Sequence, residues 1–159
     1  MNTLTLILHI LCAVGAGLMA GVFFAFSTFV MQALAKLEAT PGMEAMQWIN
    51  KTVLNPWFLG TFAGTAALCV ALIVIVIWQG MPAYALYTIS AALLYAIGTF
   101  GVTAACNVPL NDALDRLDAT NDEGRHFWQD YQERWLFWNH VRTIAATLSL
   151  VVFMLALRA

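Results

Sequence analysis

The sequence predicts an all-α transmembrane four-helix bundle, and three observations predict it. Of 159 residues, 62% are hydrophobic and only 10% are charged, with a mean hydropathy of +0.77. A soluble domain carries about 25% charged residues, so this chain lacks the polar surface to cover itself in water. Four long stretches are free or nearly free of charge, and a helix of roughly 20 apolar residues crosses the hydrocarbon of a bilayer. The connections between them hold almost all the charge. One integral membrane domain, residues 1–159, follows, with spans at about 4–34, 56–79, 83–106 and 138–157.

The first span is uncharged from Leu4 to Ala35, and His9 is its only titratable side chain. It lacks a basic leader, and its apolar run is too long for a cleavable signal. Ala13, Gly17, Gly21 and Ala25 recur every fourth residue, a stripe of small residues that lets another helix approach closely. Gly60 and Gly64 repeat the device on the second span, making both stripes candidate surfaces for a homo-oligomer. Asn55 before Pro56 is the expected cap of that second span. The third span is uncharged from Ala83 to Cys106. The fourth is short: Thr143–Leu157 gives about 22 Å at 1.5 Å per residue, against a hydrocarbon core of ~30 Å. To cross, it must draw Asn139, His140 and Arg142 to the hydrocarbon boundary.

The two longer loops resemble each other. ALAKLEAT (33–40) and ALDRLDAT (113–120) agree at five of eight positions, at an offset of 80 residues. The same offset relates Gly21-Val22 to Gly101-Val102 and Trp48 to Trp128. Two parallel helical-hairpin repeats would produce this pattern, and so would coincidence in Ala/Leu-rich sequence. Short interfacial helices are expected in loops 1 and 3. Thr40 before Pro41 should cap one, and a capping box, Thr120-x-x-Glu123, the other. From Thr120 the helix is expected to run on into the fourth span. Trp128, Tyr131, Trp135, Trp138 and Arg142 would then share one face, at steps of three and four.

Lys36, Lys51, Arg116, Arg125 and Arg134 lie on the side of loops 1 and 3, and Arg158 alone on the other. The positive-inside rule places those loops in the cytoplasm of an inner membrane and both termini outside. A net charge of -2 without a basic patch gives no reason to expect nucleic acid. Cys12, Cys69 and Cys106 are odd in number and lie in apolar runs, as small packing residues do.

Polar groups converge at the loop end. Asn50, Asn55, Asn107, Asn111 and Asn139 gather there with His140, Arg142, Trp135 and Trp138, and with Phe24 and Ser27 at the end of the first span. The opposite end has Asn2 and His9. An Arg at this depth usually faces a wet cavity or a partner, and Asp112 is the first expected partner. No HExxH, CxxC or paired Glu-x-x-His exists. His9 and His140 sit at opposite ends and cannot share a haem, His126 falls in a polar loop, and no metal or other cofactor is expected. An aromatic-lined pocket with neutral amides, one cation and one titratable His suits a flat hydrophobic ligand with an ionisable oxygen. Asn139 and Arg142 can hold an oxyanion, and His140 can move a proton.

FFAFSTFVMQAL, AMQWIN, NPWF, NVPLN and W-x-x-W-N-x-x-R, in this order along nearly the whole chain, resemble the anthrone oxygenase-like family of small four-span membrane proteins. The resemblance implies oxidation of an anthrone-type aromatic by O2 without metal or flavin. It carries Asn50, Asn55, Asn107, Asn111, Trp135, Asn139 and Arg142 into the site; His140 rests on the reading of the residues alone. The competing expectation is a lipophile- or quinone-binding or accessory membrane protein without chemistry.

Overall fold

A computed structural model describes residues 1–159 as five helices and no strand. They are α1 (Thr3–Leu34), α2 (Ala39–Thr52), α3 (Pro56–Trp78), α4 (Ala85–Asp115) and α5 (Asp122–Ala156). The four long ones have 32, 23, 31 and 35 residues and are apolar enough to cross a membrane. Neighbouring spans run antiparallel, in the order α1–α3–α4–α5 around the bundle. Only α3 is about one bilayer long. Its ends carry Trp57 and Trp78, exposed by 87% and 88%, as rings at the two membrane interfaces are. The other three spans project past Trp57 at the loop end.

Two cores result. One lies inside the bundle around Cys12, Met19, Phe23, Phe62, Leu72, Tyr95 and Phe153. The other lies at the loop end around Met31, Met43, Met46, Leu114, Trp128, Tyr131 and Trp135. Side chains of α2 fill much of this second core, so α2 closes that end of the bundle. Three hydrogen bonds dock it: Thr40 Oγ1 donates to Ala119 O (2.8 Å), and Gln47 Nε2 to Leu114 O (2.9 Å) and Leu117 O (3.1 Å).

Local chemistry explains the helix ends. Asn55 caps α3 as expected, accepting from the N–H of Trp57 (3.1 Å) and Phe58 (3.0 Å). The other two expected caps are corrected. Asn121, not Thr120, caps α5 by accepting from Gly124 N at 2.7 Å. Thr120 instead gives its N–H and hydroxyl to Asp118 (2.8 and 2.7 Å), and these donors hold the Asp118 carboxyl below its usual range. Helix α2 begins at Ala39, before Thr40, whose hydroxyl is spent on Ala119. Loop 3 has no helix of its own. The helix of span 3 continues to Asp115, and that of span 4 starts at Asp122 and runs unbroken to Ala156.

The two similar loop segments touch through Thr40 and Ala119, as hairpins related by a common axis would. The likeness fails at Trp48, which is exposed where Trp128 is buried. Pro56 explains the difference: it forces a break after Thr52, whereas α5 has no proline and stays straight. The stripe of α5 is corrected in one member. Trp128, Tyr131, Trp135 and Arg142 are buried, but Asn139 completes the face and Trp138 is only half-buried. The small-residue stripes are not what closes the bundle. Gly21, Gly60 and Gly64 would meet nothing within 4 Å if given a Cβ. The close approaches are at Gly15, where a Cβ would stand 2.0 Å from Thr65 Oγ1, and at Gly98, 2.7 Å from Ala145 Cβ.

Candidate functional site

Asn139 and Arg142 sit on the buried face of α5, where its extension enters the bundle. Asn139 is fully buried and donates from Nδ2 to Phe23 O (2.8 Å) and Ser27 Oγ (2.7 Å). Its Oδ1 accepts from Arg142 Nη2 at 2.8 Å. Arg142 Nη1 reaches Thr103 Oγ1 at 3.3 Å. The guanidinium is sandwiched between two rings, 4.3 Å from the centroid of Phe23 and 4.8 Å from that of Trp135. It is 5% exposed, and its Nε has no partner.

The expected Asp112 partner is corrected: no carboxylate lies within 4.0 Å of Arg142. The ion pairs are Lys51–Asp115 at 2.7 Å and Arg125–Asp122 at 2.5 Å. Arg142 is folded back onto the rings and hydroxyls of α1 and α4, while Asp112 is exposed at the rim. A buried charge without a counter-charge is costly. Two cation–π contacts offset part of this, at about 1–2 kcal/mol each when desolvated. What remains is a fixed positive charge with an unused N–H, held in an apolar wall.

Asn111 supplies the second donor. Its Oδ1 accepts from Tyr131 OH (2.9 Å) and Trp135 Nε1 (2.8 Å). An indole nitrogen can only donate, so the oxygen must face Trp135. The amide N–H groups of Asn111 then have no hydrogen-bond partner in the protein. Asn50 Nδ2 approaches Tyr131 OH at 3.5 Å from α2.

These groups border a cleft of about 260 Å³. Its walls are apolar and aromatic: Phe23 and Phe26 of α1, Met46 and Ile49 of α2, and Phe58 and Phe62 of α3. Asn50, Asn111, Trp135, Arg142 and Thr103 add polar points, and Lys51, Asp112 and Asp115 form a charged rim. The helices beside it are irregular. A π-helical turn occupies Phe26–Val30 of α1, and two more span Leu94–Gly101 and Thr103–Asn107 of α4. The extra residue in such turns re-aims side chains, and they frequently mark functional sites. Here they bring Phe26 and Thr103 to the cleft.

Of the residues singled out from sequence, Asn50, Asn111, Trp135 and Arg142 line the cleft together. Asn139 and Ser27 stand behind Arg142, with Ser27 Oγ also 2.9 Å from Thr143 Oγ1. Asn107 is buried on α4; its Nδ2 donates to Trp135 O at 3.2 Å, and its Oδ1 has no partner. Asn55 is a helix cap. Three residues are not brought to the cleft. Phe24 is exposed, because the buried face of α1 passes through Phe23. His140 is exposed on the side of α5 turned away from the bundle. Trp138 borders a second, outer depression with Arg134, Cys106 and Pro109. Phe23, Phe26, Phe62, Met46 and Thr103 line the cleft without having been singled out. Phe23 was within reach of sequence reasoning, since Cys12, Ala16, Met19 and Phe23 are spaced as one helix face; nothing in the sequence marks Thr103.

No group of three or more His, Cys, Asp or Glu side chains is placed to hold a metal ion. His9 lies far from the cleft, buried, with Nδ1 2.7 Å from Thr5 O and Nε2 2.7 Å from Thr88 Oγ1. All three cysteines are free.

No curated protein and no solved structure matches the chain. A family model does, over residues 54–152, which hold α3, α4 and most of α5, with Asn111, Trp135, Asn139 and Arg142 among them. That match covers more than half of the sequence, its description is anthrone oxygenase, and this four-span membrane protein belongs to the anthrone oxygenase family.

Proposed function

We propose that the cleft binds a flat, hydrophobic anthrone-type phenolic and promotes its oxidation by O2. The observation that carries this reading is Arg142: a buried guanidinium with no acid beside it and an unpartnered N–H, in the wall of an aromatic cleft. Such a charge is complementary to an anion that the ligand brings or forms. The free amide of Asn111 adds a second donor to the same cleft.

An anthrone CH2 lies between two aryl rings, conjugated to the ketone across the ring. Loss of one proton gives an enolate whose charge sits largely on oxygen. Arg142 and Asn111 would stabilise that oxyanion, and preorganised donors in a dry site are worth most there. The electron-rich carbon then passes an electron to O2, and the radical pair forms a C–O bond. Protonation gives a hydroperoxide, which loses water as the second C–H proton leaves and the C=O forms. Overall, anthrone and O2 give anthraquinone and water. The proton acceptor is reassigned. His140 faces away from the cleft, whereas Asp112 lines it as its one carboxylate outside an ion pair. We place the reaction at the end of the bundle that the positive-inside rule assigns to the cytoplasm.

Purified protein in detergent, supplied with a simple anthrone and O2, tests the reading by the rise of anthraquinone absorbance over autoxidation. Arg142→Ala should lose about 10²-fold or more in kcat while eluting as a folded species. Full activity in both Arg142→Ala and Asn139→Ala would refute it. The displacement of His140 from the cleft favours a second reading, a lipophile-binding protein without chemistry. Tight binding of anthraquinone with no anthrone turnover would select it.

A further inference from the structure

The cleft has two kinds of edge. Lys51, Asp112 and Asp115 form one, and the Lys51–Asp115 ion pair ties α2 to α4 across it. The other edge is apolar. Leu54, Leu59 and Val108 line the cleft, yet they are 65%, 41% and 41% exposed. The gap they border has a clear origin in the packing. Helix α3 lies along Ala85–Gly101 of α4 and parts from it further on, where the second π-helical stretch and Pro109 carry α4 away. The α1–α3 seam, by contrast, is closed by Gly15 against Thr65 and by the edge-on rings of Phe23 and Phe62. Depth is set by Trp57. Leu59 lies two residues further into α3, within the layer bounded by Trp57 and Trp78.

We infer that the cleft is loaded sideways from the bilayer, through an opening between α3 and α4 edged by Leu54, Leu59 and Val108. Its ligand is an aromatic that resides among lipid chains near the headgroups, with its polar oxygen turned towards Arg142 and Asn111. Exposed leucine and valine at this depth meet lipid, so a flat lipophile crosses no water to enter. The charged rim opposes entry from the aqueous side, where the ion pair and α2 stand in the way. The inference rests on the proposal that the cleft is a ligand site, but it does not need the ligand to react.

The test is stopped-flow quenching of tryptophan fluorescence, since Trp135 lines the cleft. The protein is reconstituted in phosphatidylcholine vesicles and mixed with vesicles preloaded with 9,10-anthraquinone. A doubly substituted variant, Leu59→Phe with Val108→Phe, narrows the opening. Association should slow about tenfold or more with little change in Kd, as expected when a path is obstructed and the bound state is not. Val74→Phe, a similar change at an exposed position deeper in the membrane layer, controls for folding and should keep the wild-type rate. A membrane-impermeant anthraquinone sulfonate in the aqueous phase should bind the wild type much more slowly. An unchanged rate in the double variant, or equally fast binding of the sulfonate, would overturn the inference. So would the absence of binding by either probe. Normal loading from lipid without anthrone turnover would refute the oxygenase reading and leave the opening established.

Discussion

At the scale of single residues, Asn111 is the most informative position beside Arg142. Its oxygen is engaged by two donors, so its amide cannot flip without losing both bonds. Asn111→Asp keeps the shape and both bonds but replaces a donor with a negative charge. An anionic ligand should then bind roughly 10–100-fold more weakly, the effect of losing a hydrogen bond to a charged group. Titration with a phenolate-bearing anthraquinone measures this, and unchanged affinity would remove Asn111 from the site. Residue type and position together made Arg142, Asn139, Asn111 and Trp135 legible: polar groups where a short span must pull them into the membrane. Which way each pointed was not legible. Phe24 and Phe23, or His140 and Asn139, differ by one step of about 100° on a helix. That step separates lipid from core, and in a span apolar on all sides the sequence marks it weakly.

At the scale of elements, the bundle is held where backbones come close. Gly15 faces the Thr65 hydroxyl. Gly15→Ala should destabilise the α1–α3 pair by about 1–3 kcal/mol, the usual effect of overpacking, and Thr65→Ala should restore part of the loss. Thermal melts of both single variants and the pair, in one detergent, check this. Failure of Thr65→Ala to rescue would mean the contact is not limiting. The stripes of Gly17/Gly21 and Gly60/Gly64 are better markers by sequence spacing, yet Gly15 and Gly98 make the tight contacts. Periodicity finds a stripe, but only the partner helix decides which glycine it meets. The same reasoning explains the loops. Asn55-Pro56 is a cap with a fixed backbone and is readable, whereas Thr120 and Asn121 offer equivalent hydroxyl and amide acceptors one residue apart. Asp118 takes the Thr120 donors and leaves the cap to Asn121.

At the scale of the whole molecule, four spans followed from composition and length because the bilayer fixes both. The extent of the helices did not follow, since hydropathy ends where the membrane ends and a helix need not. Helix α5 continues well outside as a straight rod, and α2 lies against it. Gln47 makes two of the bonds that dock α2. Gln47→Ala should leave the spans intact and raise amide exchange in Ala39–Thr52 by about 5–30-fold, matching 1–2 kcal/mol of lost docking. Unaltered protection there would show that side-chain packing alone holds α2. The two cores described above therefore live in different solvents. In lipid there is no water to expel, so the inner core rests on close contact and internal hydrogen bonds. The core at the loop end has water around it, and its burial carries the large heat-capacity change of apolar hydration. Cooling or urea should weaken the outer core while the embedded one holds. The cleft straddles the two, with α1, α3 and α4 supplying one half and α2 the other. The protein should thus have a temperature window in which it is still threaded through the membrane but its cleft has lost a wall.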